Sequence, residues 1–274
     1  MQLVLRELRA SWAFVERNFN LIKRYWKWEL VFFAYTVANS VTMGFIGKGV
    51  ESFSGAVVDV NYLILYMLIG SILWGYLSIL FEIVAETVAW ERWEGTIEYT
   101  FMSPVSRATH LLSVCWFSIL YGLLRSGLIL LFVSWFFQLS LSKANIAAAG
   151  GILAVGSLSF IGLGMIAAIM PLISPEKGVQ VVHIFQALLL MFSGVYYEVE
   201  VLPLWMQKVA MISPATYALK GMREAILEGQ PFPALSNYTL PLLLMGAIML
   251  PVGIMAFGKM EKHAKIKGLL KRNG

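Results

Sequence analysis

Long apolar runs separated by short polar breaks fill most of this chain, and their order predicts its elements. The first 28 residues stand apart. Leu5, Leu8, Trp12, Val15, Phe19, Ile22 and Trp26 recur at alternating spacings of three and four, while Arg6, Arg9, Arg17, Lys23, Arg24 and Lys27 keep largely to other positions. One apolar stripe beside a basic face predicts a helix lying in the headgroup plane, with membrane lipid as its partner. Six apolar segments follow, near 30–47, 61–83, 109–137, 147–171, 179–197 and 238–258. About 20 apolar residues cross the hydrocarbon core of a bilayer, so each reads as a transmembrane helix. The expected fold is an all-α membrane protein: an amphipathic interfacial helix (1–28), a six-span domain (29–258) and a basic tail (259–274).

Two breaks carry their own structure. Glu91–Arg107, ERWEGTIEYTFMSPVSR, reads as a short helix held between breakers. Gly95 stops what precedes it and Thr96 can cap the new turn. Ser103-Pro104 stops that turn and is expected to start the next helix. Its Ile97, Tyr99 and Phe101 suit a docking element as well as an interhelical loop. The segment from Ser193 to Gly229 is too greasy for a water-exposed loop and too interrupted to span. Pro203 and Ser213-Pro214 predict two short helices, arranged as a hairpin (198–229) that re-enters the membrane before the last span.

Composition agrees with this pattern. Hydrophobic residues make up 59% and charged residues 14%, against roughly 25% charged in soluble domains. A lone Cys115 excludes an intrachain disulfide framework. The first 28 residues lack a signal-peptide core. Lys and Arg concentrate in the N-terminal helix, at Arg92, Arg107 and Lys177, and in the tail from Lys259 to Arg272. By the positive-inside bias, both termini and the 91–107 loop are cytoplasmic, and Trp26, Trp28, Trp90, Trp93, Trp135 and Trp205 mark the two interfaces. The net charge of +5 thus reports topology rather than nucleic-acid binding. No phosphate-binding loop, no zinc signature and no nucleophile motif occurs, so no catalytic residue and no metal ligand is assigned.

Three further features stand out. Gly150, Gly151, Gly156, Gly162, Gly164 and Ala168 make the fourth span small-sided, for packing within the chain or against a second copy. His183 reads as an interhelical hydrogen-bonder. Arg125 sits about two-thirds of the way across the third span, at roughly 1.5 Å per residue. A guanidinium there faces protein or water, or snorkels. Its candidate partners in an outer gate are Glu198, Glu200 and Glu224.

Two stretches together resemble the type-2 ABC transporter permeases. Glu91, Arg92, Gly95, Thr96, Ile97, Glu98, Ser103, Pro104, Val105, Ser106 and Arg107 match that family's cytoplasmic loop. Ser193-Gly194-Val195, Leu202-Pro203, Trp205, Ser213-Pro214 and Arg223 are similar to its re-entrant segment, with Glu198 a departure from the usual uncharged residue. The resemblance implies a permease subunit of an exporter in a bacterial plasma membrane, carrying an amphipathic drug or lipid, or a polysaccharide or glycolipid. It implies two ATPase subunits as partners, which bind the ATP and Mg, and a second permease, as in a homodimer. It assigns coupling to the ATPase to Glu94, Gly95, Thr96, Glu98, Pro104 and Arg107. An autonomous secondary transporter is the competing class, but it would ask for two related halves, and no internal repeat is found.

Overall fold

A computed structural model describes residues 2–54 and 60–270. Helices make up most of the described residues, which contain no strand. In chain order the helices are α1 (Gln2–Arg24), α2 (Trp26–Ser54), α3 (Val60–Glu94), α4 (Ile97–Met102), α5 (Arg107–Phe136), α6 (Ile146–Ala167), α7 (Ile169–Ile173), α8 (Pro175–Phe192), α9 (Leu204–Ala210), α10 (Pro214–Leu227) and α11 (Ser236–Ile266).

Five stretches are long and apolar enough to cross a membrane: Trp26–Gly49, Val60–Glu94, Ala108–Phe136, Ile146–Ile173 and Phe232–Ile266. The sixth expected span, 179–197, is a shorter apolar helix, Lys177–Phe192. It ends early because Ser193 and Gly194 turn the chain, Gly194 at φ +68°. The six expected interfacial tryptophans are all exposed.

The stripe of α1 does not turn inward. Leu5, Leu8, Trp12 and Phe19 are exposed, whereas Val15 and Asn18 are buried. The helix docks on α5 through polar and aromatic contacts. Glu7 accepts from the Ser106 N–H (3.2 Å) and the Thr109 hydroxyl (2.6 Å), Ser113 donates to Ser11 (2.9 Å), and Phe14 packs on His110 at 4.9 Å. A helix held to protein by its polar side, with leucine and indole pointing away, suits an interfacial position.

The core centres on α3 and α6, where Leu73, Tyr76, Leu80, Phe81, Ile152 and Phe160 are fully buried. Tyr76 and Ser157 hydrogen-bond across the two helices. Gly151, Gly156, Gly162 and Gly164 of α6 pack within the chain, and Gly150 meets nothing within 4 Å. A Cβ on Gly162 would stand 2.4 Å from the Met249 carbonyl of α11, one on Gly246 would stand 2.7 Å from Leu158, and one on Gly253 would stand 2.5 Å from the Gly162 carbonyl. Ser159 donates to the Leu242 carbonyl across the same seam (2.9 Å). Backbones this close exchange dispersion contacts that longer side chains would prevent.

Ser174 and Ser213 precede helices that carry Pro175 and Pro214 in the first turn, as their sequence signature predicts. The α10 helix buries Ala215, Ala218, Leu219, Met222 and Ala225, and Ser193 meets Ser213 at 3.0 Å beneath it. By contrast Leu204, Trp205, Met211 and Ile212, on and after α9, are exposed.

Replacing Gly162 with Ala should cost about 1–3 kcal/mol, because the obstacle is a peptide carbonyl that cannot rotate away. Gly150→Ala, with nothing within 4 Å, should be neutral or stabilise by about 0.5–1 kcal/mol. Thermal unfolding of the two variants in one detergent measures the contrast.

Candidate functional site

The 91–107 loop is a two-faced element. Gly95 ends α3 at φ +73°, a conformation that costs glycine little, and reverses the chain into α4. Six residues follow in helix. Ile97 and Phe101, one turn apart, are buried in the core, while Tyr99 and Met102 are 78% and 83% exposed. Glu94, Thr96, Glu98 and Pro104 are exposed as well. The side chain of Arg107 lies outside the described residues.

Two capping expectations are corrected. The Thr96 hydroxyl makes no cap to α4 and reaches the Glu91 carbonyl at 3.5 Å. Ser103-Pro104 does not start the next helix. Ser103 closes α4, donating its hydroxyl to the Thr100 carbonyl (2.8 Å), and Ser106 caps α5 by accepting from the Thr109 N–H (3.0 Å). Ser106 competes successfully because its hydroxyl lies where the first turn of α5 presents an orphan N–H.

Beneath the loop lies a buried charge cluster that sequence reasoning missed. Glu91 Oε1 accepts from Arg17 Nη1 of α1 at 3.1 Å and lies 3.4 Å from His110 Nε2 of α5. Glu91 and His110 are buried, and Arg17 is partly exposed. One carboxylate thus joins α1, α3 and α5 at the root of α4. Glu91 belonged to the recognised loop pattern, but nothing in that pattern points to its partners 74 residues earlier and 19 later. From the other side, Lys265 of α11 stands over the Phe101 ring (5.0 Å to the centroid) and pairs with the buried Glu261 at 2.7 Å.

Arg125 does not join Glu198, Glu200 or Glu224. Its guanidinium donates to the Phe32 carbonyl (2.8 Å), the Thr36 hydroxyl (2.7 Å) and the Tyr121 hydroxyl (3.2 Å), and Tyr121 in turn donates to Glu29. The α5 face that bears Arg125 points at α2, whose carbonyls and hydroxyls offer nearer acceptors than the distant hairpin. Arg125 is therefore a tether between α2 and α5.

The three carboxylates gather instead around Arg223 of α10. They lie at the far end of the molecule, since Tyr66, which also lines this site, precedes Glu91 by 25 residues of one helix, about 38 Å. Here a cavity of about 290 Å³ is lined by Tyr66, Glu198, Glu200, Thr216, Lys220, Arg223, Glu224 and Tyr238, among others. Arg223 stacks on Tyr66 at 3.5 Å from the ring centroid and donates to the carbonyls of Val195 (2.9 Å) and Gly194 (3.4 Å). Glu200 pairs with Lys220 at 3.2 Å. Its own backbone N–H and that ammonium hold its carboxyl below the usual carboxylate range. Tyr66 was missed because a tyrosine inside an apolar run looks like any interfacial ring.

Among the described residues no group of three or more His, Cys, Asp or Glu could hold a metal ion. The structure is that of an integral membrane protein with a short, two-faced helix at one end and a charged chamber at the other.

Comparison with known proteins gives this class its family. Residues 9–227 match the ABC-2 type transporter family, and the chain belongs to it. It is also similar to the linearmycin resistance permease protein LnrN of Bacillus subtilis (strain 168), 29% identical over 136 residues. That match covers 49% of this chain and 34% of the relative's length. The chain is thus an integral membrane protein of the ABC-2 type transporter family, and the match spans about a third of that relative's length.

Glu91→Ala should destabilise the protein by roughly 1–3 kcal/mol, because it removes the acceptor of Arg17 Nη1 and the carboxylate that faces the buried His110. Thermal unfolding in detergent measures this, with Glu91→Gln retaining part of the loss. A second expectation concerns pH. The Thr109 hydroxyl and the Ser106 N–H lower the pKa of Glu7. The docking of α1 they supply is therefore complete above the unfolded-state pKa of about 4.3 and is lost as pH falls through the lower folded value. The protection factor of the Ser106 amide, taken against its intrinsic exchange rate at each pH, should fall on acidification in the wild type and be low at every pH in Glu7→Ala.

Proposed function

We propose that this chain is the permease subunit of an ATP-driven exporter in a bacterial plasma membrane, with both termini cytoplasmic. The α4 helix is its docking element for a separate ATPase subunit. One observation carries this reading: Ile97 and Phe101 anchor α4 in the core, while Glu98, Tyr99 and Met102 project from it unpacked. An aromatic and a thioether held out on a rigid turn are the kind of anchors that fill a partner's groove.

In this reading α8 is a short sixth span and α9–α10 form a hairpin dipping into the outer leaflet. Glu94, Gly95, Thr96, Glu98, Pro104 and Arg107 frame the contact with the ATPase. Two such permeases, paired as a homodimer, and two ATPases make the working unit, with ATP and Mg bound by the ATPases. Closure of the ATPases shifts α4, and the bundle alternates between inward- and outward-facing states. Glu198, Glu200 and Glu224 form the outer gate together with Arg223. The substrate is an amphipathic drug- or lipid-like molecule. The similarity to a linearmycin resistance permease supports the drug class, although the matched part is only a third of that protein.

The exposed face of α4 allows a clean test. Substituting Tyr99 and Met102 together with Ala touches no packed contact and should leave stability within about 0.5 kcal/mol. Co-purification with the co-encoded ATPase and ATP-dependent efflux should both fall at least tenfold. Unchanged recruitment and efflux would remove the docking assignment, and transport by the chain without any ATPase would establish an autonomous transporter instead.

A further inference from the structure

The chamber around Arg223 contains polar groups that the protein itself leaves unanswered. The Tyr66 hydroxyl, the Thr216 hydroxyl and Arg223 Nε are buried and have no hydrogen-bond partner among the described residues. Thr216 is 7% exposed, and all three residues line the cavity. A buried donor without a partner costs roughly 1–3 kcal/mol, so three at one wall point to a polar occupant.

The charges around it specify what kind. Glu198, Glu200 and Glu224 face Lys220 and Arg223 across the cavity. Lys220 is satisfied by Glu200, and Glu224 accepts from Tyr238. Glu198 has no ion pair among the described residues. Each Arg223 Nη spends one N–H on a backbone carbonyl, and its Nε–H has no partner and is left to meet an anion. A bare anion would meet three carboxylates, and a bare cation would leave Nε unmet and stand against Arg223. A ligand carrying both signs answers both ends. Its ammonium fits Glu198 and the open oxygen of Glu224, and its anionic oxygen fits Arg223 Nε and the two hydroxyls. N–H donors on the ammonium matter, since carboxylates bind them by charge-assisted hydrogen bonds. At about 30 Å³ per water-sized volume, 290 Å³ accommodates a group of about ten heavy atoms.

We propose that this chamber binds a zwitterion with a primary ammonium and an anionic oxo group, as in a phosphoethanolamine moiety. Such a group comes either from an aminophospholipid of the adjoining leaflet or from water. The site stands on its own geometry. Only the assignment of that leaflet as the outer one rests on the orientation proposed above, and binding is read without ATP or ATPase.

The full chain in detergent should be exposed in turn to phosphatidylethanolamine, phosphatidylcholine and phosphatidylglycerol of identical acyl chains, and retained lipid counted by native mass spectrometry. Phosphatidylethanolamine should be held about tenfold more tightly than the other two. Glu198→Gln and Thr216→Val should each remove most of that preference. Glu198 is exposed, so its variant folds even if a cavity-wall change does not. Soluble O-phosphorylethanolamine, titrated directly onto the lipid-free chain, separates the sources. Saturable binding lost in Glu198→Gln supports a water-borne zwitterion, and binding of the lipid alone supports a headgroup. Equal retention of the three lipids together with no binding of the soluble compound overturns the proposal. So does binding that neither variant weakens.

Discussion

Helices in hydrocarbon gain nothing from hiding apolar surface from one another, because lipid tails are as apolar as leucine. Close approach of backbones has to hold them, and here that approach is concentrated at one seam. Gly162, Gly246 and Gly253 bring α6 and α11 to a distance at which a single added methyl group would strike a peptide carbonyl or a neighbouring side chain. On this pair the other elements lean. The α3 helix joins α6 through Tyr76 and Ser157, and α10 lays its alanines against the same wall with Gly221 close on Ile152. Elements away from the seam combine apolar packing with polar ties. The α2 helix depends on Arg125 and on Ser40 meeting Ser71 at 3.1 Å, and α1 depends on Glu7 and Ser11.

Charged clusters stand at the two ends of α3 and at the Arg125 tether. At one end Glu91 gathers a cation and an imidazole from two other helices, and at the other Tyr66 backs the guanidinium of Arg223. Buried charges of this sort contribute little net stability, and their cost is recovered only when every partner is in place. Their use is positional. The Glu91 node fixes where α4 leaves the bundle, and the Arg223 stack fixes the turn between α8 and α9 by holding the Gly194 and Val195 carbonyls.

Much of this architecture was legible in the sequence, and the reason differs from element to element. Apolar run length gave five membrane-crossing helices, because bilayer thickness imposes a count of residues. It over-read the stretch at 179–197, where the run continues past Phe192 but the backbone turns at Gly194. Ser-Pro signatures marked the helix starts at Pro175 and Pro214, where neither Ser174 nor Ser213 caps with its side chain, and failed at Ser103, whose hydroxyl closes α4 instead. The glycines of α6 announced a close contact without naming the partner, which is a tertiary fact. Charged residues were the least legible. Arg125 and Arg223 both donate to backbone carbonyls, and only rotation about each helix axis decides that Arg223, not Arg125, shares a cavity with the carboxylates. The ABC-2 type transporter family pattern located the loop and the hairpin, but not the contacts beneath either.

The perch of Lys265 over Phe101 has a consequence for how motion is distributed. Phe101 is one of the two roots of the short helix, and Lys265 belongs to the last turn of the helix that carries the glycine seam. The short helix and the last turn of α11 therefore share a direct contact, and α11 runs on from it into the glycine seam with α6, so no shift of the one can leave the other's surroundings unchanged.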